Sequence, residues 1–229
     1  MNAPTPDLST RLKNTTETGI DAALFVPLLR LLAGGSPVTI DDLAAATGQT
    51  RDEVKTALAA APDTEYDHQG QIIGQGLTLR PTRHRYCIEG HDLFTWCALD
   101  TLIFPTLIGK PATIESTSPT SGETITLTVD ALGAVTSVKP ANAVVSLVGP
   151  DATASIRSSF CNQVHYFTSP RDAQPWLDAH PGGEVVSIEA ARRMGAAIVA
   201  DMLDTASSGP RTGAASATGA VQTPKCDCG

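Results

Sequence analysis

Four β-rich runs between residues 112 and 148 (ATIEST, TITLTV, AVTSV and AVVSLV) are separated by the turn clusters SPTSGE, DALG and KPAN. Strand-forming residues punctuated at such short intervals by Gly, Pro, Asn and Asp favour hairpin connections, so this stretch predicts an antiparallel sheet. HRYCIEG reads as an earlier strand and QVHYFTS as a later one. Asp92 to Leu107 reads as a buried helix containing Trp96 and Cys97. SPRDAQPWLDAH and SIEAARRMGAAIVADML predict two further helices, each with a serine suited to capping. The mixture makes this part of the chain α+β.

The N-terminal part has a different rhythm. After a frayed lead-in over 1–17, Gly19 to Leu32 carries apolar residues at helical spacing and stops at Gly34-Gly35. Pro37 to Ala45 follows, with Thr39 as N-cap and Asp42 three residues later. A third helix, Arg51 to Ala60, presents Val54, Leu58 and Ala59 on one side. EYDHQGQIIGQGLTL then offers two short strands around Gly70. Three helices and a hairpin are the order of a winged helix-turn-helix. The expected organisation is a winged-helix-like N-terminal domain over 1–80, a domain with a mostly antiparallel sheet and flanking helices over 81–206, and a flexible, small-residue tail over 207–229.

A net charge of −8 disfavours nucleic acid as the main partner, because duplex binding rests on clustered Lys and Arg. The most apolar stretch, AALFVPLLRLLAGG, contains Pro27 and Arg30 and falls short of the roughly 20 apolar residues of a membrane span. The N-terminus does not read as a signal peptide. A cytoplasmic location follows as the expectation, with Cys87, Cys97, Cys161, Cys226 and Cys228 as free thiols or metal ligands in a reducing compartment.

Cys97 and Asp100 in TWCALDTLIFP are three residues apart, so on a helix the thiol and carboxyl are neighbours. Ala98, Leu99, Leu102, Ile103 and Phe104 surround the acid, an environment that raises a carboxyl pKa toward the range of a proton donor. The same pair is also compatible with a core cysteine and an acid that caps a helix or reaches solvent. Cys161 lies 64 residues after Cys97, far outside the short spacings of zinc fingers and ribbons. His165 is either a ligand or a structural histidine. Cys87, between Tyr86 and Ile88, reads as packing.

The block WCALDTLIFPTLIG, the later SFCNQVHYF and the earlier DTEYDHQGQIIGQGLTLRPT resemble the organomercurial (alkylmercury) lyases, and the similarity runs from about Leu24 to about Ala190. The resemblance implies a winged-helix-like domain joined to a β-rich catalytic domain. It assigns Cys97 and Cys161 as mercury ligands, and Asp100 as the proton carrier that stays bound to mercury afterwards. Some members have a second cysteine after the SFC cysteine, where this chain has Asn162.

The chemistry is consistent with that resemblance. Soft thiolates select soft metals. Two thiolates on mercury push electron density onto the bonded carbon, and a nearby acid protonates it. Thiols with a pKa of about 8.5 need help to ionise at neutral pH, and Asp100 can accept such a proton and deliver it to carbon. The implied reaction is protonolysis of R–Hg⁺ to a hydrocarbon and Hg²⁺. It needs no organic cofactor, uses low-molecular-weight thiols for product release, and has a mercuric reductase as candidate acceptor of the Hg²⁺. Neither nucleic acid nor membrane is an expected partner.

Two other readings stand beside it. One is a thiol-based, soft-metal-responsive winged-helix regulator, although RDEVKTALAA is poor in the basic and amide residues of a recognition helix. The other is a soft-metal carrier using the terminal Cys226-Asp227-Cys228. As part of a lyase, Cys226 and Cys228 would act as a mercury relay, on a tether of 18 mostly small residues that reaches about 20–25 Å.

Overall fold

The computed structural model describes residues 21–207 apart from 62 and 152, so the lead-in and the Cys226/Cys228 relay lie outside the described residues. Three helices come first: α1 (Ala22–Leu32), α2 (Ile40–Thr47) and α3 (Arg51–Ala59). Each begins at a polar cap. Asp21 accepts a hydrogen bond from the Ala23 N–H, while Thr39 with Asp42 and Thr50 with Glu53 form reciprocal capping boxes. These caps satisfy N–H groups that have no partner within the first helical turn. Gly48, at φ 70°, closes α2 in the left-handed conformation that glycine adopts without strain. Leu28, Leu29, Leu32, Leu43, Val54 and Leu58 bring the three helices into the main core. On α3, Ala57 packs there and Ala59 is exposed, the reverse of the expectation for Ala59. Position 57 lies three residues from Val54 and shares its face, whereas 59 has turned away.

Strands β1 (Glu65–Tyr66), β2 (Ile72–Gln75) and β3 (Leu77–Thr78) follow. They do not form a separate wing. With β4 (His84–Ile88), β5 (His91–Thr95), β6 (Ala112–Thr117), β7 (Thr124–Val129) and β8 (Val135–Lys139) they build one eight-stranded sheet, ordered β1-β2-β3-β5-β4-β6-β7-β8. Every pairing is antiparallel. The join is at β3–β5, where Leu77 faces Thr95 and Thr78 faces Phe94. A second antiparallel sheet has β9 (Val144–Leu147) between β10 (Tyr166–Phe167) and β11 (Glu184–Ser187). The remaining helices are α4 (Ala98–Ile108), α5 (Ile156–Ser159), α6 (Gln174–Ala179) and α7 (Ile188–Ser207).

Three elements differ from the sequence expectations. The helix expected over Asp92 to Leu107 begins only at Ala98. Residues 91–95 instead form β5, paired residue for residue with β4 across Glu89-Gly90, both at positive φ, as a tight hairpin loop requires. Cys97 is therefore the extended N-cap of α4, not a residue within a helix. QVHYFTS contributes strand only at Tyr166–Phe167, and Cys161–Gln163 is a 3-10 turn. Strand β11 was not anticipated: it runs straight into α7 with no turn residue between them, and none of its residues is buried.

Ser187 caps α7 as expected, accepting from the Ala190 N–H at 3.2 Å. The serine expected to cap α6 sits one turn early, and Ala173 is the N-cap.

Helix α7 packs across both α1 and α4. At that crossing a Cβ on Gly195 would lie 3.0 Å from Ile103 Cγ1, so glycine permits the close approach. No helix among the described residues is long and apolar enough to cross a membrane.

Candidate active site at the start of helix α4

Two chain segments meet where α4 begins. Thr95 Oγ1 donates to the Cys97 carbonyl at 2.9 Å, and the Trp96 N–H donates to the Gly76 carbonyl at 2.9 Å. The Ala98 N–H donates to the Val164 carbonyl at 3.0 Å and ties this corner to the turn that carries Cys161. Tyr166, fully buried, reinforces the tie from below. Its hydroxyl lies 2.7 Å from Thr101 Oγ1 and donates to the Ala98 carbonyl at 3.2 Å. On the other side, His180 Nε2 lies 2.9 Å from Gln163 Oε1 and braces the end of the same turn.

The result is that Cys97 Sγ, Cys161 Sγ and an Asp100 carboxylate oxygen all lie within 4.8 Å of one another. Both thiols are buried and free, and Asp100 is half-buried. The Cys97 N–H donates to Asp100 Oδ2 at 3.0 Å. The acid is thus a helix cap and a member of the cluster at once, and neither sequence reading of it excluded the other.

Burial dominates the electrostatics. It pushes Asp100 from its ordinary 3.8 up to about 7, against the stabilising thiol and backbone N–H of Cys97 and the backbone of Trp96. Burial also drives the Cys97 thiol well up, and donation to Cys161 and the neighbouring Asp100 add to this. For Cys161 the largest influence is the hydrogen bond from Cys97, which favours its thiolate. Burial and the Asp100 and Asp63 carboxylates outweigh that bond and leave the pKa raised, with Arg157 opposing them. The hydrogen bond between the sulfurs thus favours a thiolate at Cys161 and disfavours one at Cys97.

Above the cluster is an apolar cavity of about 70 Å³. Leu99, Ile103, Phe104, Phe160, Ile198 and Met202 line it with Asp100 and Cys161, while Phe25 of α1 and Trp96 complete the wall. Gly76 borders it at φ 75°, where a Cβ would lie 2.8 Å from Phe104 Cζ. The helical N-terminal part therefore contributes directly to the chamber through Phe25.

An ion pair between the half-buried Arg157 and the buried Glu65 supports the rim. Arg157 donates to Glu65 Oε1 at 2.6 Å and stacks over Trp96 with its guanidinium carbon 4.4 Å from the ring centre. The Arg157 N–H donates to Asp63 at 3.1 Å, and Thr78 donates to Glu65. Sequence reading missed Arg157, Glu65, Tyr166 and Phe25. Glu65 stands within the quoted DTEYD segment, but Arg157 has no local signal, since its partner lies 92 residues away.

The other candidates fall outside the cluster. Cys87 is half-buried on β4, alternating with the buried Tyr86 and Ile88 and so facing the opposite side of the sheet. His165 borders a separate polar cavity.

The antiparallel α+β frame, the helix-turn-helix front and the buried thiol–carboxylate cluster define an enzyme of the kind that handles a soft metal. The alkylmercury lyase profile matches residues 77–200, and that of the helix-turn-helix domain of alkylmercury lyase matches residues 5–76. The chain is 49% identical over 199 residues to an alkylmercury lyase of Streptomyces lividans, covering 85% of this chain and 92% of that one. Similar relatives occur in Bacillus cereus (48% over 199 residues, covering 85% and 91%) and Pseudomonas putida (51% over 183 residues, covering 80% and 86%). The crystal structure of the mercury-bound form of MerB2 superposes with a TM-score of 0.69 at 28% identity, covering 84% of this chain and 99% of that one. The chain belongs to the alkylmercury lyase family.

Proposed function

We propose that the chain cleaves the carbon–mercury bond of R–Hg⁺ by protonolysis, with Cys97 and Cys161 as mercury ligands and Asp100 as the proton carrier. The observation that carries this reading is the grouping of two thiols and a carboxyl within 4.8 Å, of which Cys161 and Asp100 border an apolar cavity and Cys97 lies buried behind them. The structural relative described as mercury-bound supports mercury as the element handled.

The organic group occupies the apolar cavity, and mercury points at the sulfurs. The Cys161 thiolate displaces the ligand that accompanied R–Hg⁺. The Cys97 thiol passes its proton to the Asp100 carboxylate, and its sulfur then bonds to mercury as well. Two sulfurs donating to mercury weaken its bond to carbon. Asp100, with a pKa near 7, holds that proton without keeping it too tightly. It then protonates the carbon as the C–Hg bond breaks. Of the two thiol protons, one ends on the hydrocarbon and one goes to solvent. Hg²⁺ remains on the two thiolates with the Asp100 carboxylate beside it, and no electron changes hands beyond the bond heterolysis.

No organic cofactor has a part in this scheme. External low-molecular-weight thiols take the Hg²⁺ off, and a mercuric reductase is the class of enzyme that consumes it. The thiol requirement suits a reducing cytoplasm. The helix-turn-helix part serves as scaffold and wall through Phe25, not as a reader of DNA.

The test is headspace analysis for methane or benzene after adding methylmercury or phenylmercury with excess thiol. Stoichiometric hydrocarbon supports the reading. Its absence, with the organomercurial bound to folded protein, overturns it.

A further inference from the structure

On the other side of Trp96 lies a second, polar cavity of about 270 Å³, lined by Thr82, Arg83, His84, Trp96, Arg157, Asn162 and His165. Its lining contains two guanidinium groups and no carboxylate. Three of the residues that line it hold a buried nitrogen with no side-chain hydrogen-bond partner, His84 Nε2, His165 Nδ1 and Trp96 Nε1, just behind its surface. His84 is 1% exposed and Trp96 6%, so these are interior groups and not surface ones. Buried polar atoms normally find partners in protein, water or a bound group.

An indole Nε1–H can only donate. His84 Nδ1 lies 2.7 Å from Ser116 Oγ, and with Ser116 as the donor the Nε2 of His84 carries the proton. Arg83 makes no ion pair among the described residues and gives only a 3.4 Å bond to the Thr117 carbonyl. Arg157 uses one nitrogen on Glu65 and has further N–H groups to offer. Burial lowers both imidazoles, with His165 and then Arg83 adding to this at His84, and with Arg83 taking His165 to about 4 against a hydrogen bond to the Asn162 backbone; the positive charge of the cavity is therefore that of its two arginines. A lining that holds two guanidinium groups and no carboxylate is complementary to a small planar anion.

The position of this cavity indicates what carries the anion. Trp96 is a wall of both cavities, and Asn162, which borders the polar one, directly follows Cys161. We propose that the polar cavity binds the carboxylate of an incoming small thiol and aims its sulfur at the mercury held by Cys161. The inference rests on the reading of Cys97 and Cys161 as mercury ligands. The exchange is a ligand substitution: the incoming sulfur bonds to mercury, the Cys161–mercury bond breaks, and the incoming thiol's proton moves to the Cys161 sulfur with no change of oxidation state. A second exchange frees Cys97. Hydrocarbon and mercury thus use separate sides of Trp96, one apolar and one cationic.

The test loads the full chain with Hg²⁺ as a simple salt, so that it does not depend on cleavage. Mercury removal is timed with 3-mercaptopropanoate and with 2-mercaptoethanol at matched thiolate concentration. The carboxylate thiol is expected to act about tenfold faster, the effect of one or two charge-assisted hydrogen bonds, and Arg83→Gln to erase that preference while leaving first-turnover hydrocarbon release unchanged. Propanoate, which has no sulfur, is expected to shift the indole N–H resonance of Trp96 but not that of Trp176, and not to do so in Arg83→Gln. Equal rates for the two thiols, or a preference that survives in Arg83→Gln, overturn the proposal. An unmoved Trp96 resonance overturns it too. Failure of hydrocarbon release with the thiol preference intact counts against the lyase reading alone.

Discussion

The Asp100 carboxylate accepts a hydrogen bond from the Cys97 N–H at 3.0 Å while one of its oxygens lies within 4.8 Å of both the Cys97 and Cys161 sulfurs. One side chain therefore starts the helix and completes the reactive group. The backbone bond holds the carboxyl in place, so its distance to the thiols does not depend on a flexible rotamer. Burial raises its pKa to about 7, where a carboxyl can both take and give a proton near neutrality.

Replacing either ligand thiol should stop turnover. Cys97→Ser and Cys161→Ser keep the shape of the core but lack a soft donor for mercury, so hydrocarbon release is expected to fall to background while circular dichroism stays that of the parent. Cys87→Ser, on the other face of β4, should retain near-parental activity. Full turnover in a folded Cys161→Ser protein would remove Cys161 from the ligand set.

Asp100→Asn separates binding from proton delivery. The amide oxygen can still accept from the Cys97 N–H, so the helix start survives. Organomercurial should bind through the two thiols, and single-turnover hydrocarbon release should slow by about 10²- to 10⁴-fold. A parental rate would mean that another group supplies the proton. His165, which lines only the polar cavity, and the exposed Tyr66 are poorly placed to do so.

The same substitution should stabilise the mercury-free protein in a pH-dependent way. A carboxyl raised from 3.8 to about 7 is favoured in its protonated form by the folded state. Its contribution to stability is full below about pH 4 and is lost as pH rises through 7. Asparagine carries no such penalty. Asp100→Asn is expected to exceed the parent by roughly 1–3 kcal/mol above pH 7, with the gap closing toward pH 4. Urea midpoints measured at pH 5 and pH 8 check this, and a gap that does not depend on pH would mean that Asp100 is not held protonated by its surroundings.

Gly76→Ala probes the chamber wall from the backbone side. Position 76 has φ 75°, and an added Cβ meets the Phe104 ring at 2.8 Å. Left-handed strain and overpacking together should cost about 2–4 kcal/mol, seen as a lower urea midpoint at unchanged slope. Phenylmercury should lose more activity than methylmercury, because Phe104 is pushed into the cavity that holds the organic group.

Local chemistry made much of this molecule legible before any coordinates. The capping box at Thr39/Asp42, the four runs that became β6 to β9, and Ser187 at the start of α7 depend on neighbours within a few residues. The spacing of Cys97 and Asp100 was equally local. Its interpretation was not, because a cysteine and an acid three residues apart serve equally well as a core thiol and a helix cap. What marked Cys161 as their partner was a family resemblance, since nothing in the 63 intervening residues states that the two segments meet. Tertiary structure decided the rest. The bonds from Ala98 to Val164 and from Tyr166 to Thr101 bring the thiols together. The β4–β5 ladder took residues 91–95 out of the expected helix and left Cys97 at its cap. The chamber needs Phe25, Phe104 and Met202 from three separate helices, and the raised pKa of Asp100 exists only once they exclude water. Caps and turns are short-range, so composition and spacing determine them. Burial is a property of the whole assembled surface, and no window of sequence contains it.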